Sequence, residues 1–161
     1  MSFDDIVKFI ESKAASQSLR IEWKEALSVT PDNWTKVSTF LKNESDLDFD
    51  YRMCSTSYDN GGDKIYEVAY NIYSTTNHHY LEVRVEAADG ISIASVACLW
   101  QTANWHEREA YDMMGIQFEG HPDLRRILLS DDWKGHPLRK NFKEPDYYHG
   151  MPVPKAKSYW E

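Results

Sequence analysis

Residues 106–115, HEREAYDMMG, begin with four ionisable side chains in a row. Carboxylates, an imidazole and a guanidinium at this spacing can bind a metal ion, transfer protons, or form a network of ion pairs. Each of these three possibilities makes different demands on the rest of the chain. The side chains concerned are His106, Glu107, Arg108, Glu109 and Asp112.

A metal site is the first possibility, because His106-Glu107 matches the start of the zinc-protease helix His-Glu-x-x-His. That motif needs a second histidine one helical turn later, and Ala110 occupies the position here. A carboxylate-bridged metal site needs inward Glu and His side chains from other helices. No other predicted helix supplies such a set, so we predict no metal ligands in this chain.

General acid–base catalysis is the second possibility. A nucleophile motif such as G-x-S-x-G would support it, but none occurs, and neither does a P-loop or G-x-G-x-x-G. His78 and His79 in a predicted hairpin turn, and His149 near the C terminus, are expected to be solvated. We therefore predict neither a catalytic nor a cofactor-binding residue. The side chains that this prediction leaves without a catalytic role are His106, Glu107, Glu109, Asp112, His121 and His136.

A structural network is the third possibility. On a helix, Arg108 and Asp112 are i, i+4 neighbours, and Glu109 and Asp112 are i, i+3 neighbours. One exposed pair contributes only ~0.3–0.5 kcal/mol, which is little for so charged a helix. Downstream, Arg125 and Arg126 offer partners for a stronger, charge-assisted network. We predict a structural joint in which the helix holds a basic turn; an ordinary solvated helix face is the alternative.

The charge of the chain argues against a nucleic-acid partner. The net charge of the 161 residues is −8, with −10 in residues 1–120 and +2 in residues 121–161. Phosphate binding needs concentrated positive charge, which the acidic body lacks. The mildly basic C-terminal part suits an acidic protein surface instead.

The cysteines and the hydropathy of the chain argue against an iron–sulfur protein and against a membrane-spanning protein. Cys54 and Cys98 are too few for a four-cysteine iron–sulfur cluster, and we expect both to be reduced. The N terminus lacks the features of a signal or transit peptide. No apolar run approaches the ~20 residues that span a bilayer. We expect a chain that is soluble or peripheral to a membrane.

Hydrophobic periodicity predicts the elements that position the charged segment. Helical spacing occurs in 3–14, after Thr30-Pro31, in 93–100 and in about 104–114 before Gly115. Strand-like alternation occurs in 19–29, where Glu25 suggests a bulge or an edge, and later along the chain. The later strand-like segments are 47–53, with Arg52 outward, 66–72 and 81–85.

The predicted fold class is α+β, a mostly antiparallel sheet with helices packed on one face, followed by an extended irregular tail. Residues 1–142 are expected to form a single domain. Residues 143–161 are expected to form an extended C-terminal arm, since Glu144-Pro145, Met151-Pro152 and Val153-Pro154 punctuate them.

The run 107–128, EREAYDMMGIQFEGHPDLRRIL, resembles the signature of one protein family, the C subunit of respiratory complex I, also called the 30 kDa subunit family of NADH:quinone oxidoreductase. That signature has Glu-Arg-Glu, an acid three residues later, two apolar residues, a histidine, a basic residue and two aliphatic residues. The segment 131–142 is also similar to the family. The positions that match are Glu107, Arg108, Glu109, Asp112, Met113, Met114, His121, Arg125, Ile127 and Leu128.

The resemblance implies a non-catalytic structural and assembly subunit. Members of this family carry no flavin and no iron–sulfur cluster, and they pack beside the quinone-site D subunit and near the cluster-bearing subunits B and I. FMN, iron–sulfur clusters and quinone are expected in these and other partner proteins of the complex, and the chain is expected at the cytoplasmic side of the bacterial inner membrane, as a peripheral component. The joint and interface residues expected on this basis are Glu107, Arg108, Glu109, Asp112, His121, Arg125, Arg126, His136, Arg139 and Lys140.

Two alternatives stay open at the level of sequence. Related proteins occur in energy-converting hydrogenases, formate hydrogenlyase and other relatives whose electron donor is not NADH, and the motif does not separate these. A second alternative is a free-standing metal-dependent hydrolase that uses the charged side chains of 106–112.

Overall fold

The computed structural model of the protein describes residues 3–17, 21–23, 26–61 and 65–153. Three helices and nine strands are present in these ranges. The helices are α1 (Phe3–Gln17), α2 (Pro31–Asn43) and α3 (Ala103–Met114). The strands are β1 (Ile21–Trp23), β2 (Leu27–Val29), β3 (Tyr51–Asp59), β4 (Ile65–Ser74), β5 (His79–Ala88), β6 (Ile93–Ala94), β7 (Phe118–Glu119), β8 (Tyr147–Tyr148) and β9 (Met151–Pro152).

The main sheet has five strands in the order β1-β2-β5-β4-β3. All neighbouring strands are antiparallel except β2 and β5, which are parallel. Two small two-stranded sheets, β6-β7 and β8-β9, lie outside it. This architecture confirms the predicted α+β class with a mostly antiparallel sheet.

The helices cover one face of the main sheet, and the hydrophobic core lies between the two layers. Pro31 occupies the first turn of α2, as predicted, after Thr30 in extended backbone conformation. The apolar stripe of α2 then faces inward, with Trp34 stacked on Tyr70 of β4 at a centroid distance of 4.4 Å. Fully buried aliphatic side chains from the sheet, such as Val83, complete this layer.

The predicted alternation over 47–53 is wrong in its second half. Leu47 and Phe49 are buried as expected, but Tyr51 and Met53 are exposed and Arg52 is buried. The parity reverses between Phe49 and Arg52, because residues 47–50 are a turn and an irregular link that precede β3 and do not belong to the strand. A one-residue shift of this kind moves every following side chain to the opposite face of a strand.

The helix predicted over 93–100 is also wrong. Residues 93–94 form β6, which pairs in parallel with β7, and turns lead from there into α3. Two backbone bonds hold the segment extended, from Ile93 N to Gln117 O and from Ser95 N to Glu119 O. The apolar residues of this segment have helical spacing, but pairing with a strand that is distant in sequence decides its conformation.

Two smaller predictions also need correction. The strand-like stretch 19–29 is two antiparallel strands, in which Trp23 pairs with Leu27. Leu19 and Glu25 lie outside the described residues.

His79 is buried rather than solvated, and its Nε2 bonds to Leu47 O at 2.6 Å. Burial lowers the pKa of His79, so the ring is held as the neutral form at neutral pH.

The C-terminal part of the described chain has little regular structure, as the prolines predicted. Strands β8 and β9 form a short hairpin within it, and Val153 N bonds to Asp146 O at 2.9 Å. The rest of the predicted arm, residues 154–161, lies outside the described residues.

Candidate functional site

The predicted joint lies on α3, which packs against β3 and ends at Gly115 as expected from the sequence. Three charged side chains of this helix are buried: Glu107, Arg108 and Asp112 are 1%, 7% and 0% exposed. Burying charge is costly unless each group is hydrogen-bonded. The partners of these three side chains therefore define what the helix does.

Asp112 holds the loop that follows the helix. Its Oδ2 accepts hydrogen bonds from the backbone N–H groups of Ile127, Leu128 and Leu129 at 3.1, 2.8 and 2.9 Å. Its Oδ1 pairs with Arg126 Nη1 at 2.7 Å. Burial by itself raises the pKa of Asp112, but these donors outweigh it, so the pKa lies below its ordinary value. The carboxylate is thus ionised and hydrogen-bonded at both oxygens.

Arg108 binds the same loop through its backbone. Its Nε donates to Arg125 O at 3.2 Å, and its Nη2 donates to Arg126 O at 3.4 Å. The guanidinium also lies over the ring of Trp105, 5.3 Å from its centroid. An arginine and an aspartate one helical turn apart therefore hold the carbonyls and the N–H groups of one loop.

Glu107 points to the opposite side of the helix and holds a different segment. Its two oxygens accept from Ser95 Oγ at 2.6 Å and from Val96 N at 2.9 Å. Burial raises the pKa of Glu107, and these hydrogen bonds offset part of that rise. Glu107 therefore fixes the turn that leads from β6 into α3.

His121 lies beside Glu107 without bonding to it directly. Its Nε2 is 3.9 Å from Glu107 Oε2 but 3.2 Å from Asn104 O, and its Nδ1 accepts from Asp123 N at 3.0 Å. The role of His121 is therefore to tie the start of the loop to the start of α3.

The segment after the loop, which contains His136 and Arg139, lies against the C-terminal end of α3. His136 Nδ1 donates to Asp112 O at 3.0 Å, and Arg139 Nε donates to Met114 O at 2.6 Å. These bonds satisfy carbonyls that a helix end leaves free. Gly115 is needed here, because its φ is +74° and an added Cβ would lie 2.6 Å from the His136 ring.

Arg139 and Lys140 extend these contacts to the main sheet. The guanidinium of Arg139 lies 4.7 Å from the ring centroid of Tyr66 and pairs with Asp89 at 3.3 Å. The backbone N–H of Lys140 donates to Asp59 Oδ2 at 3.0 Å. The segment after the joint is therefore fixed to strands β3, β4 and the turn after β5.

Three of the predicted joint residues are not drawn into the network through their side chains, and Lys140 is one of them because its contact is made by its backbone N–H. Glu109 is exposed and borders a small cleft beside His106 and residues 55–57. Arg125 is exposed and pairs with Asp123 at 2.8 Å, so only its carbonyl belongs to the joint. The charges of 106–115 thus diverge in several directions instead of converging on one point.

Sequence reasoning missed a buried cation, Arg52. Its guanidinium lies 5.1 Å from the ring centroid of Tyr70, and its Nη2 donates to Ser55 Oγ at 2.5 Å. Burial lowers the pKa of Arg52, and the negative charge of Glu107 opposes that effect. The sequence does contain an arginine within a segment of alternating polarity. The alternation, however, predicted that this arginine faces outward.

Two further findings concern metal binding and the crossing of a membrane. Among residues 3–17, 21–23, 26–61 and 65–153, no group of three or more His, Cys, Asp or Glu is placed to hold a metal ion. Within the same ranges, no helix has the length and apolar character needed to cross a bilayer.

The family model and the similar sequences that match this chain indicate the same family. The model of the family described as respiratory-chain NADH dehydrogenase, 30 Kd subunit, matches residues 27–148. The chain is 46% identical to the C subunit of NADH-quinone oxidoreductase from Chlorobium phaeobacteroides over 125 residues, 76% of this chain and 75% of that protein. It is 39% identical to the corresponding protein of Geobacter sulfurreducens over 140 residues, 85% and 86% of the two chains.

A solved structure shares the fold. A chain in the structure of the membrane-bound sulfane sulfur reductase, an archaeal respiratory membrane complex, matches with a TM-score of 0.69. The match covers 89% of this chain and 86% of that chain at 23% sequence identity. At this identity the comparison concerns the arrangement of helices and strands alone.

Proposed function

The chain belongs to the family of the respiratory-chain NADH dehydrogenase 30 kDa subunit, and we propose that it is a structural and assembly component of the NADH:quinone oxidoreductase complex. In this proposal the chain carries no reacting group of its own. FMN, iron–sulfur clusters and quinone are bound by partner proteins, and this chain shapes the surface on which they assemble.

The observation that carries the proposal is the environment of Asp112. Its carboxylate receives three backbone N–H groups and one arginine from the loop 126–129. A general base or metal ligand needs a free lone pair directed at a substrate or an ion. Asp112 instead uses its oxygens to set the path of a loop, which supports a structural role.

The segment downstream of Asp112 is the docking surface in this proposal. Its exposed apolar side chains include Leu128, Leu138, Tyr147 and Met151, and residues 121–161 carry a net charge of +2. Exposed apolar groups beside positive charge suit an acidic protein partner. We assign the quinone-site D subunit to this surface, with subunits B and I nearby, at the cytoplasmic side of the membrane.

NADH is the electron donor that we propose for the whole complex. The relatives at 46% and 39% identity are both named as the C subunit of NADH-quinone oxidoreductase. Those names support the NADH-linked complex over the hydrogenase-type alternatives, whose motif is similar.

Co-purification tests the proposal directly. A tagged copy of the chain, expressed in its source cells, should bring down subunits D, B and I together with NADH:quinone oxidoreductase activity. Asp112→Ala should lower the amount of assembled complex while the turnover of each assembled complex stays unchanged. The matched control is Asp123→Ala, which removes an exposed carboxylate later in the same loop region.

Two results would contradict the proposal. One is a normal amount of complex with a selective loss of quinone reduction in Asp112→Ala, which would give Asp112 a chemical role. The other is a stoichiometric metal ion in the purified chain that Glu109→Ala removes, which would favour the hydrolase alternative.

A further inference from the structure

A cavity of about 380 Å³ lies in the C-terminal part of the chain, and we call it the tail cavity. Its walls come from residues 132–134, which follow the loop held by Asp112, and from Lys143, Pro145 and residues 147–149, which include β8. Pockets that bind small molecules typically measure ~300–1,000 Å³. The tail cavity therefore has room for a large side chain or a small ligand.

Contacts between the two walls hold the tail cavity in shape. The hydroxyl of Tyr148 lies 2.6 Å from Ser130 Oγ and donates to Asp132 Oδ1 at 3.3 Å. His149 Nε2 lies 3.0 Å from Asp132 Oδ2. The ring centroids of Trp133 and Tyr148 are 5.1 Å apart. The cavity is thus a defined feature of the folded chain, and both oxygens of Asp132 already contact its walls.

Two lysines of the tail cavity supply positive charge. Lys134 and Lys143 are exposed, and in the described part of the chain neither forms an ion pair or a side-chain hydrogen bond. The other acids of this segment do not line the cavity: Asp131, Glu144 and Asp146. With His149 counted as neutral, two ammonium groups against the Asp132 carboxylate leave one excess positive charge. The lining therefore favours a group with a single negative charge.

Exposed apolar side chains of the β8-β9 hairpin adjoin the tail cavity. Tyr147 lines the cavity and is 68% exposed, and Met151, which is 64% exposed, pairs in register with Tyr148. Tyrosine and methionine are enriched in protein interfaces. Tyr147 and Met151 also belong to the segment downstream of Asp112 that we propose as the docking surface. The cavity is therefore continuous with the surface on which the partner docks in that proposal.

We propose that the tail cavity anchors this partner, by receiving a segment in which an apolar or aromatic side chain stands next to an aspartate or glutamate. The apolar side chain fills the space against the aromatic rings of the walls, and the carboxylate pairs with the two lysines. Side chains that anchor in pockets of this kind carry most of the binding energy of an interface. The inference rests on the proposed function, because the partner is the protein that docks there, and it adds the chemistry of the contact.

The lining of the tail cavity disfavours other occupants. An arginine or lysine anchor would meet the two ammonium groups, which repel it. A nucleic acid or an anionic membrane presents an array of phosphates, and the net charge of −8 and the exposed acids next to the cavity repel such an array. A single carboxylate carried by a protein segment meets neither objection.

Site-specific photocrosslinking in the assembled complex tests this inference. The full-length chain would carry benzoylphenylalanine in place of Tyr147, on the cavity wall. We expect an adduct with a partner protein, through a peptide in which an acidic residue is adjacent to an apolar or aromatic one. The double variant Lys134→Glu, Lys143→Glu should reduce that adduct at least ~10-fold. The matched charge control, Lys8→Glu, Lys36→Glu at exposed lysines of α1 and α2, should leave it unchanged.

A charge swap makes the test specific to the lysine pair. Replacing the acidic residue of the crosslinked peptide by lysine should restore the adduct to the Lys134→Glu, Lys143→Glu variant. Such a rescue also shows that the variant is folded, so a loss of adduct without rescue counts against the inference.

Several outcomes overturn the inference and leave the proposed function standing. With the partner proteins of the complex co-purifying, these are no adduct at 147, an adduct through a peptide without an acidic residue, or an adduct that is insensitive to the charge reversal. An adduct with a second copy of this chain, with lipid or with nucleic acid has the same meaning. If the partner proteins do not co-purify at all, the proposed function fails, and the inference fails with it.

Discussion

Asp112 on α3 and Glu86 on β5 are both carboxylates in strongly charged segments, but their surroundings differ. Asp112 is fully buried, and its oxygens bind the N–H groups and the arginine of one loop. Glu86 is exposed on the face of the main sheet opposite the helices. Charge inside the molecule specifies the path of the chain, whereas charge at the surface remains largely hydrated.

The difference has a thermodynamic consequence that mutations can measure. A buried carboxylate with four donors cannot be removed without leaving those donors unsatisfied. An exposed carboxylate is largely hydrated in the folded chain, so its removal changes the stability of the fold little. Variants of the two regions should therefore differ in the size of their effect on stability.

The largest expected effect is that of Asp112→Ala. We expect the free energy of unfolding to fall by ~3–5 kcal/mol, because the Arg126 guanidinium and three backbone N–H groups lose their acceptor. Urea unfolding of the full-length chain, followed by tryptophan fluorescence, measures this. Asp123→Ala should change the value by less than ~0.5 kcal/mol. Equal effects of the two variants would remove the distinction between buried and exposed carboxylates.

The two buried acids of α3 should respond to pH with opposite sign. The pKa of Asp112 lies below its ordinary value of 3.8, so its contribution to stability is present above that pH and is lost as the pH falls. The pKa of Glu107 lies above its ordinary value of 4.5, so its contribution is greatest at low pH and is lost as the pH rises through the folded-state pKa.

Unfolding curves from about pH 3 to pH 7 check this pair of signs. Asp112→Asn should lose less stability than the parent chain on acidification, and Glu107→Gln should lose less as the pH is raised. Parallel pH profiles for the parent and both variants would show that neither acid has a shifted pKa.

An intermediate effect is expected for Gly115→Ala. The φ of +74° costs ~1 kcal/mol for any residue with a Cβ, and the clash with the His136 ring adds to it. Gly120→Ala is the matched control, since its φ is +78° but no atom lies within 4 Å of an added Cβ. The difference between the two unfolding free energies isolates the packing of His136 and Arg139 on the end of α3. If the two variants were equally destabilised, that packing would contribute nothing.

The smallest stability effect is expected at Glu86 of β5. Glu86→Lys should change the free energy of unfolding by less than ~0.5 kcal/mol, because the side chain is exposed. Thermal unfolding of the full-length chain measures this. A loss comparable to that of Asp112→Ala would mean that Glu86 stabilises the fold as much as a buried carboxylate and would contradict the comparison between the two regions.

Much of the charged helix was predictable because its signals are local. The apolar spacing before Gly115 and the arginines downstream predicted a helix, its end and a basic loop beside it. The structure has α3 at Ala103–Met114 with a left-handed Gly115, and Arg126 paired with Asp112. Helix ends follow from nearby residues, since the groups that need capping and the groups that cap them lie within a few positions.

The features that sequence missed depend on segments far apart in the chain. Glu107 binds Ser95 and Val96, which the periodicity had assigned to a helix. His79 was expected in solvent but is buried and bonds to the carbonyl of Leu47, which is distant in sequence. Periodicity describes which side chains share a face within one strand, but it does not show where the strand begins, and a shift of one residue there reverses the relation.

The sequence by itself determined the family, the α+β class and the presence of a charged helix followed by a basic loop, because these follow from local pattern and from a long, irregular motif. Only the tertiary structure decided which charges meet. It placed the Asp112 carboxylate among the N–H groups of 127–129, turned the Arg125 side chain outward, and buried Arg52. Hydrogen bonding acts over about 3 Å, so partners are fixed only when the path of every loop is fixed.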